Sequence, residues 1–475
     1  MDIRIPHARG QRMRALHAQL RSAIVDGRLA GGTPLPSTRA LASSHGLARN
    51  TVIAAYELLM AEGYLLPRVG ATPVVAQLPR KTARNGVASY RKQDDVRLHA
   101  MWRAPDLRPT ALAGLPVRSF RLGMPEHRGF PHEVWRRLSM RVLRDWSRTP
   151  FRYPPAQGLP ELREAIARHV AFARAVSCGA DDVVVTSGAQ QAFDLLARLL
   201  VTPGKTRVAV EEPGYPPLRA AFAAAGARLV PIPVDAQGLC VDALPDDVAV
   251  VCVTPSHQSP TGAVMSLARR RSLLEFVQRR NASVIEDDYD GEFRFGGRPL
   301  DALQTLNAEG RVFYVGTFSK SLFPALRKGF VVAPGWAREP LVALKHCADG
   351  HSDMLGQAVL AAFIEKGHMA RHARRMGRVY AQRHATLRAC MEHQLAPWLQ
   401  LLPSEAGLHL AARIRDPRSA TNVIAAVRQH LPGAMSFADY AMTRSVEPGV
   451  VIGFGVIDNE AIEMHCRALA GALAS

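Results

Sequence analysis

Residues 314–329 read YVGTFSKSLFPALRKG, and the rest of the 475-residue chain is organised around them. The β-branched and aromatic run over 312–315 predicts a buried strand that stops at Gly316. A hydroxyl-rich turn then presents Lys320, and Arg327 follows seven residues later. Only 7 of the 60 basic residues are lysines, so arginine is the usual cation of this chain. The lysine in this turn is therefore expected to serve as an amine.

A desolvated lysine loses its proton and attacks a carbonyl, which arginine cannot do. The turn thus predicts a Schiff base between Lys320 and pyridoxal phosphate (PLP). Thr317 and Ser319 would supply hydroxyls, and Arg327 would grip the phosphate with two hydrogen bonds. The alternative is a surface turn with a solvated lysine. This stretch by itself does not decide between the two.

The composition, with 48% hydrophobic and 21% charged residues, is that of a soluble globular protein, and the length predicts two or three domains. No apolar run approaches the roughly 18 residues that would span a bilayer, and the N-terminus has no secretory signal pattern. The six cysteines form no C-x-x-C pair, which favours reduced thiols in the cytoplasm. His368 and His372 lack the glutamate of a zinc-protease helix, so no metal site is expected.

The net charge of +19 is unevenly distributed. Residues 1–117 hold 17 basic and 7 acidic residues, so a quarter of the chain carries about half of the surplus. This asymmetry indicates an anionic partner for the N-terminal part. Charge alone leaves nucleic acid, a membrane surface and simple solubility open.

The N-terminal segment predicts three helices and a hairpin. Apolar residues recur at helical spacing over 13–24, Ser37 is suited to cap a second helix, and a third helix begins near 49–51. Residues 63–75 predict a hairpin with Gly70 at its tip. This order of elements is that of a winged helix-turn-helix, whose third helix turns its polar N-terminus toward the major groove.

Five positions of this segment are candidate DNA contacts. Arg39 and Arg49 can grip phosphate or base edges, Asn50 and Thr51 can hydrogen-bond either, and Gly70 lets the wing approach the duplex. The alternative is a three-helix accessory domain with a solvated basic face. The segment 1–76 resembles the DNA-binding domain of the GntR family of bacterial transcription regulators, through GTPLPSTRALA (32–42) and RNTVIAAY (49–56). The resemblance implies that the five residues lie against double-stranded promoter DNA.

Residues 77–117 lack periodicity and are rich in arginine, proline and short polar residues, which predicts a flexible basic linker. Over 118–475, apolar runs alternate with amphipathic helices such as 159–172 and 189–200. The predicted strands are 183–186, 207–210, 228–232, 248–253, 283–286 and 312–315. This alternation predicts an α/β domain with a mostly parallel sheet covered on both faces. Runs over 407–413 and 450–454 indicate a smaller C-terminal subdomain.

Two further strand ends carry polar or aromatic side chains. VVVTSGAQQ (183–191) is a strand that ends at a helix N-terminus, where the free N–H groups of the turn favour a phosphate. The residues of that turn are Ser187, Gly188, Ala189 and Gln190. EPGYP (212–216) places Tyr215 where it could stack on an aromatic ring, although a tyrosine in such a turn is more often simply packed.

A third strand ends in the acidic run IEDDYD (285–290). One buried carboxylate there would keep a pyridinium nitrogen protonated, and Tyr289 could hydrogen-bond a phenolate oxygen. A magnesium site is the alternative. Together these stretches resemble the PLP-dependent aminotransferases of fold type I. The resemblance implies a Schiff base at Lys320, a pyridine-nitrogen partner in Asp287 and a ring-stacking role for Tyr215. It also implies a phosphate cup, built from Ser187, Gly188, Ala189, Thr317, Ser319 and Arg327.

The sequence departs from that family at two places. The family's Asn-Pro-x-Gly turn is here SHQSPTG (256–262), so the asparagine that donates to the ring oxygen is absent, and His257 or Gln258 is expected to replace it. The C-terminal strand that carries the family's carboxylate-clamping arginine reads VVIGF (450–454), and Arg444 is only a distant candidate.

A GntR-type head, a long linker and an aminotransferase-like body resemble the MocR subfamily of bacterial regulators. The resemblance implies a homodimer that holds its two heads on repeated half-sites. It also implies that PLP, or a small amine or amino acid reacting with the Lys320 aldimine, is the effector. The competing hypothesis is a working aminotransferase with an accessory DNA-binding head, which the intact lysine, aspartate and tyrosine set keeps open.

Overall fold

The structure, a computed structural model, describes residues 12–78, 116, 118–148, 150, 152–295, 301–307 and 310–474. The chain divides into two compact units, Met1–Leu98 and His99–Ser475. Of the predicted linker over 77–117, only residues 77, 78 and 116 are described, so that prediction lies almost wholly outside the described residues.

The N-terminal unit contains three helices and a hairpin: α1 (Arg12–Val25), α2 (Thr38–His45), α3 (Arg49–Ala61), β1 (Leu65–Arg68) and β2 (Ala71–Val75). Ser37 caps α2, as predicted, by accepting a hydrogen bond from the amide of Ala40. Gly46 ends α2 in the left-handed region, with φ +62°. Gly70, with φ +71°, lies between the antiparallel strands β1 and β2. The predicted order of elements in the winged helix-turn-helix is confirmed.

The apolar faces of these helices meet in one small core. Leu16 of α1 and Val52 and Leu59 of α3 are fully buried, and each such side chain contributes about 1.5–3 kcal/mol to stability. The hydroxyl of Tyr56 donates to the carbonyl of Pro36 at 2.9 Å and ties α3 to the segment before α2. This packing turns one face of α3 inward and leaves its first turn at the surface.

The larger unit is built from ten helices and twelve strands within the described residues. The helices are α4 (His132–Trp146), α5 (Pro160–Arg174), α6 (Ala189–Leu200), α7 (Pro216–Ala224), α8 (Leu267–Arg280), α9 (Arg338–Asp349), α10 (Met354–Glu365), α11 (His368–His393), α12 (Ala420–His430) and α13 (Asn459–Ala474). The strands are β3 (Val183–Thr186), β4 (Arg207–Glu212), β5 (Arg228–Asp235), β6 (Gly238–Leu239), β7 (Val248–Val253), β8 (Ser283–Asp288), β9 (Val312–Thr317), β10 (Gly329–Val332), β11 (Leu399–Leu401), β12 (His409–Ile414), β13 (Met435–Ser436) and β14 (Gly449–Gly453).

Eight strands form the main sheet in the order β3-β10-β9-β8-β7-β4-β5-β6. Strands β9, β8, β7, β4 and β5 pair in parallel, whereas β10 runs antiparallel to both of its neighbours. Every predicted strand of this sheet is present, and β3, β9 and β10 are buried along their whole length, as strands covered on both faces must be. Strand β10 was not among the predicted strands. The mostly parallel sheet brings the carboxyl ends of β8 and β9 to one edge.

Strands β11, β12, β14 and β13 form a separate antiparallel sheet in that order. Of these, β12 and β14 lie at the two predicted C-terminal runs. Helices α11, α12 and α13 contribute to its hydrophobic core. Among the helices that the structure describes, none combines the length and the apolar character needed to cross a bilayer.

Candidate functional site

Lys320 follows the carboxyl end of β9, and its side chain is half-buried. The Nζ atom donates a hydrogen bond to the carbonyl of Gly123 at 2.9 Å. Burial lowers the pKa of this amine, and the nearby carboxylates of Asp290 and Asp287 oppose the shift only in part. The deprotonated, nucleophilic form of the amine is therefore more accessible than in a solvated lysine.

Asp287 lies near the end of β8 and is almost fully buried. Its Oδ1 atom has no hydrogen-bond partner within the described part of the chain. Burial raises the pKa of this carboxyl well above its usual range, and the nearby carboxylates of Asp288 and Asp290 add to the shift. A buried carboxyl oxygen without a donor is costly, so this atom fits a protonated ring nitrogen. When bound, PLP supplies a carbonyl for the amine of Lys320 and an electron-withdrawing ring.

Tyr289 belongs to a buried network at the same edge of the sheet. Its hydroxyl lies 3.1 Å from Nδ1 of His257, and that nitrogen lies 3.0 Å from Oδ2 of Asp290. The other ring nitrogen of His257 lies 3.2 Å from the hydroxyl of Ser404. Both nitrogens of His257 therefore have partners, and the histidine holds the hydroxyl of Tyr289 in position. A direct contact of His257 with the cofactor ring remains a prediction.

Gln258, the other expected replacement for the missing asparagine, is committed to hydrogen bonds with the end of β4 and with its own turn. Its Nε2 atom donates to a carboxylate oxygen of Glu211 at 3.1 Å and to the carbonyl of Pro213 at 2.9 Å. Its Oε1 atom accepts from the amide and hydroxyl of Thr261. These bonds hold the turn 256–262 in shape and leave the amide group of Gln258 committed there.

The residues predicted to form a phosphate cup come together at the N-terminus of α6. That helix begins after Gly188, which has φ +83° and supplies no side-chain cap, so the amides of Ala189 and Gln190 have no acceptor within the described residues. The guanidinium of Arg327 donates to the carbonyl of Ser187 at 2.8 Å. A Cβ atom at position 188 would lie 3.0 Å from the carbon of that guanidinium. Glycine thus keeps open a cradle between helix end and cation that suits a phosphate.

The hydroxyl side of the cup comes from the turn after β9. The Oγ1 atom of Thr317 donates to Oγ of Ser319 at 3.1 Å, and the amide of Ser319 donates back to Thr317 at 3.2 Å. The structure brings Ala189 and Gln190, in the first turn of α6, into the same region as this turn, because β3 and β9 both pair with β10.

Two buried lysines next to the phosphate cup were not predicted from the sequence. The Nζ atom of the fully buried Lys345 donates to Oγ of Ser352 at 3.0 Å, and Ser352 in turn lies 3.2 Å from Oγ of Ser187. Lys328 is also buried and pairs with Asp353 at 3.0 Å. Three of the seven lysines of the chain therefore converge near this site. The scarcity of lysine was the signal that could have identified all three.

Tyr215 lies at the N-cap position of α7, after β4. Burial raises the pKa of its hydroxyl to about 12, and the charge of Asp287 contributes to that shift. Its ring lies 6.5 Å from that of Phe193, measured between centroids. The tyrosine thus shares the region of the cup and of Asp287, and its stacking on a cofactor ring remains a prediction.

The arginine that the sequence lacks on its C-terminal strand is not replaced by Arg444, which lies on an exposed segment before β14.

The side chains of His257, Asp290 and His409 place ligand-type atoms within 4.8 Å of one another. Hydrogen bonds account for this group, since His257 pairs with Asp290 and Nε2 of His409 lies 3.1 Å from the carbonyl of Pro260.

The candidate DNA contacts lie at the surface of the N-terminal unit. Arg39, Arg49, Asn50 and Gly70 are exposed, and Thr51 is half-buried. Arg49 is the first residue of α3, and the preceding N-cap residue makes no side-chain hydrogen bond. The amides at the start of this first turn and the helix dipole favour an anion such as a phosphate. The structure therefore places four of the five predicted contacts where a duplex could reach them.

Comparisons with known proteins match each of the two units to a different family. Residues 13–74 match the family described as bacterial regulatory proteins, gntR family, and residues 122–441 match aminotransferase class I and II. The chain is 40% identical to a probable rhizopine catabolism regulatory protein MocR from Rhizobium meliloti, over 84% of this chain and 81% of that protein. It is 29% identical to a pyridoxine biosynthesis transcriptional regulator of Corynebacterium glutamicum, over 94% and 92% of the two chains.

Among solved structures, the larger unit is similar to an α-aminoadipate aminotransferase from Thermus thermophilus, complexed with N-(5'-phosphopyridoxyl)-L-leucine. The TM-score is 0.69 at 27% identity, over 76% of this chain and 93% of that one. The likeness supports the fold of the larger unit, since it extends over nearly all of the enzyme.

Proposed function

The chain belongs to the MocR subfamily of GntR-family transcriptional regulators, and we therefore propose that it regulates transcription in the cytoplasm in response to PLP or to an amine that reacts at Lys320. In this proposal residues 1–76 bind promoter DNA, 77–117 link the units, and 118–475 bind PLP. The observation that carries the PLP part is the buried Oδ1 of Asp287, which has no hydrogen-bond partner among the described residues and lies near the amine of Lys320.

The donor set supports PLP over a metal or a nucleotide. Lys320 offers an amine whose pKa is lowered by burial, Asp287 offers an acceptor for a ring N–H, and Tyr289 offers a hydroxyl. Arg327 and the first turn of α6 offer a cation and free amides for a phosphate. These groups match the aldehyde, ring nitrogen, phenolate and phosphate of one compound. A regulator of pyridoxine biosynthesis among the relatives agrees with this ligand class.

Promoter binding by a dimer is the second part of the proposal. Two winged helices roughly double the base readout of one and read half-sites at a fixed spacing. Met140 and Leu143 of α4 are 53% and 46% exposed, and Tyr153 is 93% exposed. Large side chains exposed in this way support a partner subunit on the larger unit. Regulation then requires that PLP or the effector bind one arrangement of the dimer more tightly than another.

The second candidate function is a working PLP-dependent aminotransferase with a DNA-binding head. Lys320, Asp287 and Tyr289 are all in place for it, and the absence of an arginine on β14 argues against it. Multiple-turnover transamination with common amino donors and keto acids distinguishes the two. Steady turnover of roughly 1 per second or more would overturn a purely regulatory role.

The proposal is tested with the full chain, prepared with and without PLP. DNA is selected from a random duplex pool, and its affinity for both preparations is measured by gel shift. We expect a coloured protein that selects one motif as a repeat and whose affinity for that motif differs between the two preparations. A chain that stays colourless after incubation with PLP contradicts the cofactor part. A chain that selects no motif contradicts the DNA part.

A further inference from the structure

The end of β14, where a carboxylate-binding arginine is missing, is covered by the segment 120–124. The amide of Gly453 donates to the carbonyl of Phe120 at 2.9 Å, and the amide of Phe120 donates to the carbonyl of Pro432 at 2.8 Å. A Cβ atom at position 453 would lie 2.3 Å from the carbonyl oxygen of Arg121. Glycine at 453 therefore lets the backbone of Arg121 lie directly against this strand end.

The same segment reaches Lys320. The carbonyl of Gly123, two residues after Arg121, accepts the hydrogen bond of the Lys320 amine at 2.9 Å. The positive charge of Arg121 is close enough to contribute to the lowered pKa of Lys320. The backbone of Arg121 thus lies against the end of β14, two residues before the carbonyl that accepts the hydrogen bond of the amine.

Arg121 also differs from the other arginines buried near this region. Arg174 pairs with Asp288 at 2.6 Å, and Arg383 pairs with Glu126 at 2.5 Å. Arg121 is half-buried, and within the residues that the structure describes it makes no hydrogen bond or ion pair. A partly desolvated guanidinium without an anion is unfavourable, and a bound anion would relieve it.

We propose that Arg121 binds the carboxylate of an amino-acid effector whose amino group is presented to Lys320. This inference rests on the proposed function and narrows the effector from any small amine to an amino compound with an anionic group. A guanidinium is suited to the task because its planar fork matches a carboxylate with two hydrogen bonds.

The other charges that face Lys320 leave this role to Arg121. Asp290 and Asp287 are acids and would repel a carboxylate. Arg327 also faces the amine, but its guanidinium is bonded to the carbonyl of Ser187 at the phosphate cup. Arg121 is the remaining cation of this group.

The first test is a pH titration of the visible absorbance of the PLP-loaded full chain, in chloride and in acetate at equal ionic strength. Wild type, Arg121→Gln and Arg121→Lys are compared. In wild type, acetate bound at Arg121 should raise the apparent pKa of the linkage between Lys320 and PLP. The reason is that a nearby anion stabilises the protonated form of this linkage. Arg121→Gln should begin from a higher pKa, since a cation is gone, and should not respond to acetate. Arg121→Lys should retain part of the response.

The second test compares glycine, β-alanine and γ-aminobutyrate with methylamine, ethylamine and propylamine as ligands that change the spectrum of the loaded chain. We expect Arg121→Gln to raise the half-saturating concentration of the best amino acid by roughly 10-fold or more and to leave the amines unchanged. Arg121→Lys should recover part of that loss.

The outcomes separate this inference from the proposed function. A loaded Arg121→Gln chain that responds to acetate and to the amino acids as wild type does refutes the role of Arg121 and leaves PLP binding intact. Equal losses for amino acids and amines also refute it, because they indicate a structural defect. An acetate effect that survives in Arg121→Gln identifies an adventitious ion only. A wild-type chain that takes up no PLP refutes the proposed function itself and this inference with it.

Discussion

The hydroxyl of Tyr289 lies 3.1 Å from Nδ1 of His257, and the same nitrogen lies 3.0 Å from the carboxylate of Asp290. A carboxylate only accepts, so a proton on Nδ1 would be directed to Asp290 and to the oxygen of Tyr289. The hydroxyl proton of Tyr289 is then not used in this contact and is available to a ligand. In the proposed complex with PLP, this hydroxyl would donate to the phenolate in place of the usual asparagine.

His257→Phe should therefore change the chromophore without emptying the site. A poorly oriented Tyr289 stabilises the phenolate less, so the apparent pKa of the visible absorbance should rise by roughly half a unit or more. The measurement is a spectrophotometric pH titration of the loaded chain. Ser404→Ala is the control, because it removes the 3.2 Å contact to the other ring nitrogen and leaves the contact between Nδ1 and Tyr289 in place. Equal pKa values in wild type and His257→Phe would contradict the role of the histidine.

Lys320→Ala should abolish the visible absorbance of the loaded protein, because alanine cannot form the covalent link to PLP. The measurement is the absorbance spectrum before and after borohydride, followed by mass spectrometry of the reduced chain. Lys366→Ala is the control, since Lys366 is an exposed lysine elsewhere on the larger unit. Borohydride-reducible absorbance that persists in Lys320→Ala would refute the assignment.

Gly188→Ala should weaken PLP binding by roughly 10-fold, because a methyl group would meet the guanidinium of Arg327 at 3.0 Å and narrow the phosphate cradle. Equilibrium dialysis with PLP measures the effect. Gly204→Ala is a matched control, since Gly204 also has a positive φ, of +72°, but its added methyl meets nothing within 4 Å. Backbone strain of about 1 kcal/mol should be common to both variants, and only crowding differs. Similar losses of PLP affinity in both would count against the cradle.

Arg49→Ala should lower affinity for the selected DNA by about 1–3 kcal/mol and leave PLP uptake unchanged, because Arg49 begins α3 on the surface of the N-terminal unit. Gel shifts at several salt concentrations separate a phosphate contact, which reduces the salt dependence, from a base contact, which relaxes the sequence preference. Arg28→Ala is the control, since Arg28 is exposed and lies 3.5 Å from Asp26. An unaltered gel shift for Arg49→Ala would exclude it as a contact.

His372 should make the larger unit less stable in acid. Burial lowers the pKa of this imidazole to about 4, against 6.5 for the exposed side chain. The folded state therefore binds fewer protons than the unfolded chain between these values. The stability that the neutral imidazole contributes is complete above pH 6.5 and is lost as the pH falls toward 4. By pH 5.5 the free energy of unfolding has fallen by about 1 kcal/mol.

The measurement is urea unfolding at pH 7.5 and 5.5, followed by tryptophan fluorescence. Four of the five tryptophans, at 135, 146, 336 and 398, lie in the described part of the larger unit, and residues 12–78 contain none, so the signal does not report on the N-terminal unit. His372→Gln should lose about 1 kcal/mol less than wild type between the two pH values. The exposed His346 provides the matched substitution, His346→Gln, which should follow wild type. Identical pH dependence in wild type and His372→Gln would show that the buried imidazole is not responsible.

Local pattern was sufficient to predict most elements. The run over 248–253 predicted β7 at its observed bounds, and 189–200 predicted α6, because periodicity and burial on two faces are properties of a short stretch. Ser37 and Gly70 were predicted for the same reason, since a cap and a tight turn depend on neighbours only a few residues away. Strand β10 escaped prediction, because it lies directly after the glycine- and proline-containing turn of Lys320 and forms only when β3 and β9 flank it.

The chemistry of Lys320 and Asp287 was predicted because their residue types and strand ends carry the information. What surrounds them was decided by tertiary structure. Gly123 and Lys320 are 197 residues apart in sequence, and His257 and Ser404 are 147 apart. No local periodicity encodes such pairs, because they exist only after the sheet and the C-terminal subdomain have packed. The sequence by itself determined which residue types follow the strands and begin α3, and from these it predicted the contacts with PLP and DNA. Only the packed fold decided that His257 contacts Tyr289 and that, among the described residues, Arg121 is a cation near Lys320 without a hydrogen bond or ion pair.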